Sequence, residues 1–288
     1  MNRFVLEKWC AWGIKALLFV TPFLSLYISR SLFFPYITGR NFAFRFLVEA
    51  ALVLYAVLVV LDAKRYVPRR SSILLALGGF LLVLGLADML GVNPMNSFWS
   101  RYERMEGLVM MLHLAAYFVL LVSVFKKERS WTTFFHLFLA SGFVVGIYGL
   151  LQKAGTLVSL QGGSRIDATI GNPTYLAAYI LFMLGIALFF LVRSRHAILR
   201  WIYGALSIYF LVVLYFTASR GPLLAVLISA FLFPITYLIW GRKGDAQARM
   251  HTKIAIAVLV ISVIVPMGFL AIKNTEFVSR SPVLSRFA

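Results

Sequence analysis

Residues 201–240 read WIYGALSIYFLVVLYF (201–216), TASRGP (217–222) and LLAVLISAFLFPITYLIW (223–240). Two long apolar runs are separated only by Thr217-Ala218-Ser219-Arg220-Gly221-Pro222. A bilayer-spanning helix needs about 20 mostly apolar residues. Barrel strands would instead alternate over about ten residues. Both runs therefore read as spanning helices, and Arg220 must lie at or just inside a membrane surface. A charge there costs roughly 3 kcal/mol on insertion scales, so it marks a candidate functional site.

The same pattern extends over the chain. It has 288 residues, 61% hydrophobic and 13% charged, with mean hydropathy +0.89. That composition excludes a soluble domain with a large core. Nine apolar runs are expected to span, at residues 13–27, 41–61, 72–90, 108–125, 131–151, 174–192, 201–216, 222–240 and 254–272. Lipid leaves only helices or closed barrels to satisfy the backbone. The expected fold is therefore all-α: a polytopic transmembrane helix bundle forming a single membrane domain over 1–288. The first run follows a basic N-terminus but has no small-residue cleavage site, so it reads as an uncleaved anchor. The lone Cys10 excludes an intramolecular disulfide.

Charge sets the orientation. The net charge is +18, but the basic residues sit in short loops between spans, which argues against a nucleic-acid partner. With the N-terminus inside, sixteen of the 28 Lys and Arg fall in inner segments and ten in outer ones, while Lys15 and Arg45 lie within spans. This split follows the positive-inside rule. The outer set is mainly arginine: Arg30, Arg40, Arg101, Arg104, Arg165, Arg220, Arg280 and Arg286, with Lys153 and Lys273. Arginine is the side chain for bidentate contacts to phosphate or carboxylate.

The outer segments at 29–40, 91–107 and 152–173 are rich in Gly, Pro, Asn and aromatics. Spans 4, 6 and 8 start at this face, and a helix start is a ready anion site. Span 4 follows Arg101-Tyr102-Glu103-Arg104-Met105-Glu106-Gly107. Span 6 follows Gly171-Asn172-Pro173, with Asn172 as cap and Pro173 at the first helical position. Span 8 follows Ser219-Arg220-Gly221, with Pro222 read as its first position. If these starts converge, Arg104, Arg165, Asn172 and Arg220 form a pocket for a phosphate or diphosphate.

Simpler structural roles stand beside these. Arg220 could anchor a helix end to lipid phosphate. Arg101 and Arg104 could form an ion-pair knot with Glu103 and Glu106, and Asp167 could neutralise Arg165. Arg45 and Glu49, one turn apart, read as a mutual ion pair. Lys15 snorkels to the inner surface. His113 and His136 read as buried hydrogen-bonding residues. No histidine or cysteine spacing suits a metal.

Several segments together resemble the O-antigen ligase-like family of bacterial membrane proteins, which includes O-antigen ligases, polymerases and protein O-oligosaccharyltransferases. They are residues 35–41 (PYITGRN), 45–49 (RFLVE), 97–100 (SFWS), 103–107 (ERMEG), 149–152 (GLLQ), 165–177 (RIDATIGNPTYLA) and 217–221 (TASRG). The resemblance is most specific over about 90–288. It implies a metal-independent, cofactor-free glycosyltransferase-like enzyme of the bacterial inner membrane, surrounded by membrane lipids. Such enzymes transfer a glycan from an undecaprenyl-diphosphate carrier to a hydroxyl of a lipid or protein acceptor at the outer face. By resemblance, Arg220 holds the carrier diphosphate as the catalytic arginine. Ser219 and Gly221 of the same motif, with Arg104, Arg165 and Asn172, are the candidate substrate contacts. In the family a histidine and a second arginine act from a large outer loop beyond span 9. No histidine occupies that place before Ala288, so the chain is expected to be a fragment lacking the end of that loop. The rival reading is a transporter or flippase of an anionic lipid-linked substrate. It would call for repeated halves and helices broken at midplane, and the sequence shows neither.

Overall fold

The computed structural model describes residues 2–101, 104–159, 165–241, 246–281, 283–286 and 288. In chain order the helices are α1 (Arg3–Val20), α2 (Thr38–Leu61), α3 (Ala63–Tyr66), α4 (Ser72–Leu90), α5 (Pro94–Trp99), α6 (Leu108–Val124), α7 (Glu128–Lys153), α8 (Pro173–Arg193), α9 (Ala197–Phe216), α10 (Arg220–Trp240), α11 (Ala246–Ile272) and α12 (Glu276–Arg280). A 3-10 turn, Thr21–Leu26, continues α1, and another lies at Leu284–Arg286. No strand occurs among the described residues.

Among the described residues, eight helices are long and apolar enough to cross a membrane: α1 with its 3-10 extension, α2, α4, α7, α8, α9, α10 and the Arg249–Ile272 part of α11. The remaining expected run is α6, which has 17 residues. At 1.5 Å per residue it spans roughly 25 Å, somewhat less than a hydrocarbon core of about 30 Å. The first run starts ten residues earlier than hydropathy suggests. Asn2 caps α1, its side chain accepting from the Phe4 N–H, so the helix already includes Glu7 and Lys8. The chain packs as two compact units, 1–141 and 142–288, and α7 contributes its two halves to them.

In the first unit α1, α2 and α6 pack together. Cys10, Ile14 and Leu18, spaced by four, make one buried stripe on α1. It meets Val48, Ala51 and Leu58 of α2 and Leu120, Leu121 and Val124 of α6. Hydroxyls join the helices where lipid cannot. Thr21 Oγ1 pairs with Tyr117 Oη at 2.7 Å, and Ser141 Oγ donates to the Pro22 carbonyl at 2.7 Å. In contrast, α4 buries no residue, and its apolar surface is of the kind lipid covers.

In the second unit α8 packs along α9, and Leu176, Ile180, Met183 and Leu184 of α8 and Tyr203, Phe210, Val213 and Leu214 of α9 are buried. The second half of α7 brings glycines to this pair: a Cβ on Gly142 would lie 2.6 Å from Met183 Cγ. α10 and α11 form a helical hairpin. Pro234 and Pro266 lie inside these two helices without interrupting either one.

Candidate functional site

The site grows from the connection between α9 and α10. α9 ends at Phe216, and the buried Thr217 turns its hydroxyl back to the Leu214 carbonyl at 2.7 Å. Ala218 takes φ +46°, a left-handed value that is uncommon for a residue with a Cβ. This sharp turn leaves Ser219 extended (φ −102°, ψ 113°) at the N-cap of α10. A serine there ordinarily accepts a hydrogen bond from the first turn. Ser219 does not: its hydroxyl accepts from Arg165 Nη2 at 2.7 Å and donates to the Pro173 carbonyl at 3.2 Å. Arg165 Nε reaches the Thr217 carbonyl at 2.7 Å, so one guanidinium grips both ends of the turn.

The start of α10 therefore carries no side-chain cap. Arg220 is its first residue and is exposed, and a Cβ on Gly221 would meet nothing within 4 Å. The expectation that Pro222 opens the helix is corrected by two residues: Arg220 holds the first position and Pro222 the third. Proline still fits there, because no N–H of the first turn has an intrahelical partner to lose.

The α8 start lies beside it, since Ser219 contacts Pro173. Asn172 caps α8 as expected, its Oδ1 accepting from the N–H groups of Thr174 (2.8 Å) and Tyr175 (3.3 Å), with Pro173 at the first position. Upstream, Asp167 is 1% exposed. It does not neutralise Arg165 by direct contact. Its carboxylate accepts from Gln152 Nε2 at 2.8 Å and Ser159 Oγ at 2.6 Å. Gln152 Oε1 in turn accepts from the Ala168 N–H at 2.7 Å. This fixes residues 166–168 against the end of α7. Arg165 is held below the usual arginine range, first by desolvation and then by the neighbouring Arg286.

Arg165, Ser219, Asn172, Arg220 and Gly221 accordingly share one region of the second unit. Arg104 belongs to the first unit. Its guanidinium stacks 4.7 Å over Phe34, and its Nε is buried without a partner. Nearby, Asn41 Nδ2 donates to the Arg104 carbonyl at 3.0 Å, and Arg45 donates to the Asn41 carbonyl and to Met105 Sδ. Arg45 Nη2 and Thr38 Oγ1 are also buried and unpartnered. The expected Arg45–Glu49 ion pair is not formed. Glu49 instead faces His113 Nε2 at 3.0 Å, and Arg45 turns toward residue 105 and the ring of Phe42. Glu103, the proposed neighbour of Arg101 and Arg104, lies outside the described residues.

Reading by sequence missed Gln152 and Ser159 as partners of Asp167, and Arg286 beside Arg165. The GLLQ segment at 149–152 was the available signal for Gln152. Ser159 and Arg286 carry no motif. No family model, curated protein or solved structure matches this chain.

Proposed function

We propose that this chain is an O-antigen ligase-like membrane glycosyltransferase of the bacterial inner membrane. On this reading it lies N-terminus inside and crosses nine times. The 17-residue α6 counts as a crossing, because a short helix is accommodated by local thinning. The donor is an undecaprenyl-diphosphate-linked glycan, and the acceptor is a hydroxyl of a lipid or protein at the outer face.

The observation that carries the reading is the diversion of Ser219. Arg165 draws its hydroxyl away from the α10 start. That start stays uncapped behind the exposed Arg220, with open space at Gly221 and the α8 start alongside. Uncapped N–H groups and a planar guanidinium suit two adjacent phosphates. Transfer breaks the bond between the anomeric carbon and the diphosphate oxygen as the acceptor oxygen bonds to that carbon. The leaving diphosphate gains negative charge, which Arg220 and the α10 start would stabilise. Arg165 holds the turn, and Asn172 shapes the neighbouring helix end. The unpartnered Nε of Arg104 suits a further substrate oxygen, within its own unit. The acceptor proton goes to a base, which the family resemblance puts in a further outer loop.

The test is glycan transfer from a lipid-diphosphate donor by the full-length protein, normalised to folded protein. Arg220→Lys keeps the charge but loses the two-pronged grip, and transfer should fall about a hundredfold. Full transfer by Arg220→Lys and Arg220→Ala would reduce Arg220 to an interfacial anchor.

A further inference from the structure

Far along α2 from Arg45, the first unit carries a second basic cluster. Lys64 and Arg65 of α3, Arg69 of the link into α4, and Lys126 just after α6 line a cavity of about 600 Å³. Its other wall is apolar, with Ile73 and Leu74 of α4 and Phe118 and Val122 of α6. Ile73 and Phe118 also line a second hollow of about 260 Å³, which is almost wholly apolar and runs between α4 and α6 past Leu77 and Ala115. The two adjoin at Ile73 and Phe118: a cationic mouth lies beside a greasy groove.

The cations of the mouth are not neutralised by its own walls. No residue lining the cavity is acidic. Arg65 is engaged by Glu7 at 2.6 Å. Lys126 has only the Val122 carbonyl, at 3.3 Å, and is held below the usual lysine range, first by desolvation and then by the neighbouring Arg69. Two unneutralised cations beside one cavity call for an anion. The adjoining groove calls for hydrocarbon, because α4 buries none of its own residues.

We propose that this cavity and groove bind one anionic phospholipid, its phosphate between Arg69 and Lys126 and an acyl chain lying between α4 and α6. Basic pockets between membrane helices recognise such headgroups by charge, and the groove excludes a free phosphate as the natural occupant. The site lies outside the residues assigned to glycan transfer and does not rest on that assignment.

The test is native mass spectrometry of the full chain released from nanodiscs of equal phosphatidylglycerol and phosphatidylcholine. A parallel thermal-shift series uses inorganic phosphate. Wild type should retain phosphatidylglycerol in preference to phosphatidylcholine, and phosphate alone should not stabilise it. Arg69→Gln with Lys126→Gln should weaken retention about twenty-five-fold, taking roughly fivefold per charge. Ala115→Trp, which fills the groove but leaves the cations, should also lose retention, whereas Arg195→Gln with Arg200→Gln should not. Equal retention of the two lipids would overturn the proposal. So would unchanged retention in the Arg69/Lys126 or Ala115 variant, or the same stabilisation by inorganic phosphate.

Discussion

Arg165 decides what Ser219 does. Its guanidinium donates to the Thr217 carbonyl and to the Ser219 hydroxyl, both at 2.7 Å, across a turn strained at Ala218. Hydrogen bonds from a charged group contribute about 1.5–3 kcal/mol. Arg165→Gln should therefore lower the thermal midpoint in detergent by several degrees, and Arg165→Lys by nearly as much, because lysine lacks the fork. An unchanged midpoint would mean that the turn holds without it. Gln152 is the corresponding support for Asp167. Gln152→Ala leaves a buried carboxylate short of a donor, at a cost of about 1–3 kcal/mol. Gln152→Glu should be worse, since it sets two carboxylates against each other. Equal stability of these two variants in denaturant or heat would contradict that ordering. At this scale the legible features were local ones. Asn172 and Pro173 announced the α8 start because cap and proline act within one turn. The partners of Asp167 and Glu49 were not legible, because they come from other segments. Spacing of four made Arg45 and Glu49 neighbours on the helix, but tertiary contacts with Met105 and His113 claimed both.

Among the elements, α7 depends most on small residues. A Cβ on Gly142 would meet Met183, and one on Gly146 would fall on Tyr209, with ring carbon Cε1 only 2.9 Å away. Tyr209 also donates its hydroxyl to the Phe143 carbonyl at 2.8 Å. Small residues four apart let membrane helices approach closely. Gly146→Leu should therefore destabilise the second unit strongly, and Gly185→Leu, where a Cβ meets nothing within 4 Å, should be tolerated. Equal loss of folded protein from the two variants, measured by fluorescence-detected size exclusion, would refute this packing role. Continuous apolar runs identified most long helices, because the bilayer imposes both length and composition. Their ends were less legible. α1 begins at Arg3 and α10 at Arg220, because helical backbone continues through charged residues at the interface, where hydropathy falls. The short α3, α5 and α12 lie outside the apolar runs and carried no hydropathy signal.

At the scale of the molecule, the eight long apolar helices among the described residues make a multi-pass membrane protein the supported reading. The proposed orientation follows from the sixteen-to-ten division of cationic residues. It is checked in a Cys10→Ser background by single cysteines at Met95 and Val158, both exposed, against one at Lys64. An impermeant thiol reagent should label the first two from outside the cell and the third only after permeabilisation. The reverse pattern would invert the proposal and move the Arg220 region to the wrong face for a donor held on the outside. The proposed chemistry depends on that region gripping a diphosphate. The most direct measurement is the affinity of the purified chain for undecaprenyl diphosphate, compared with Arg220→Ala at matched folding. The expected result is at least about a tenfold loss of affinity, equivalent to roughly 1.4 kcal/mol. Equal affinity in the two proteins would contradict the site at its centre.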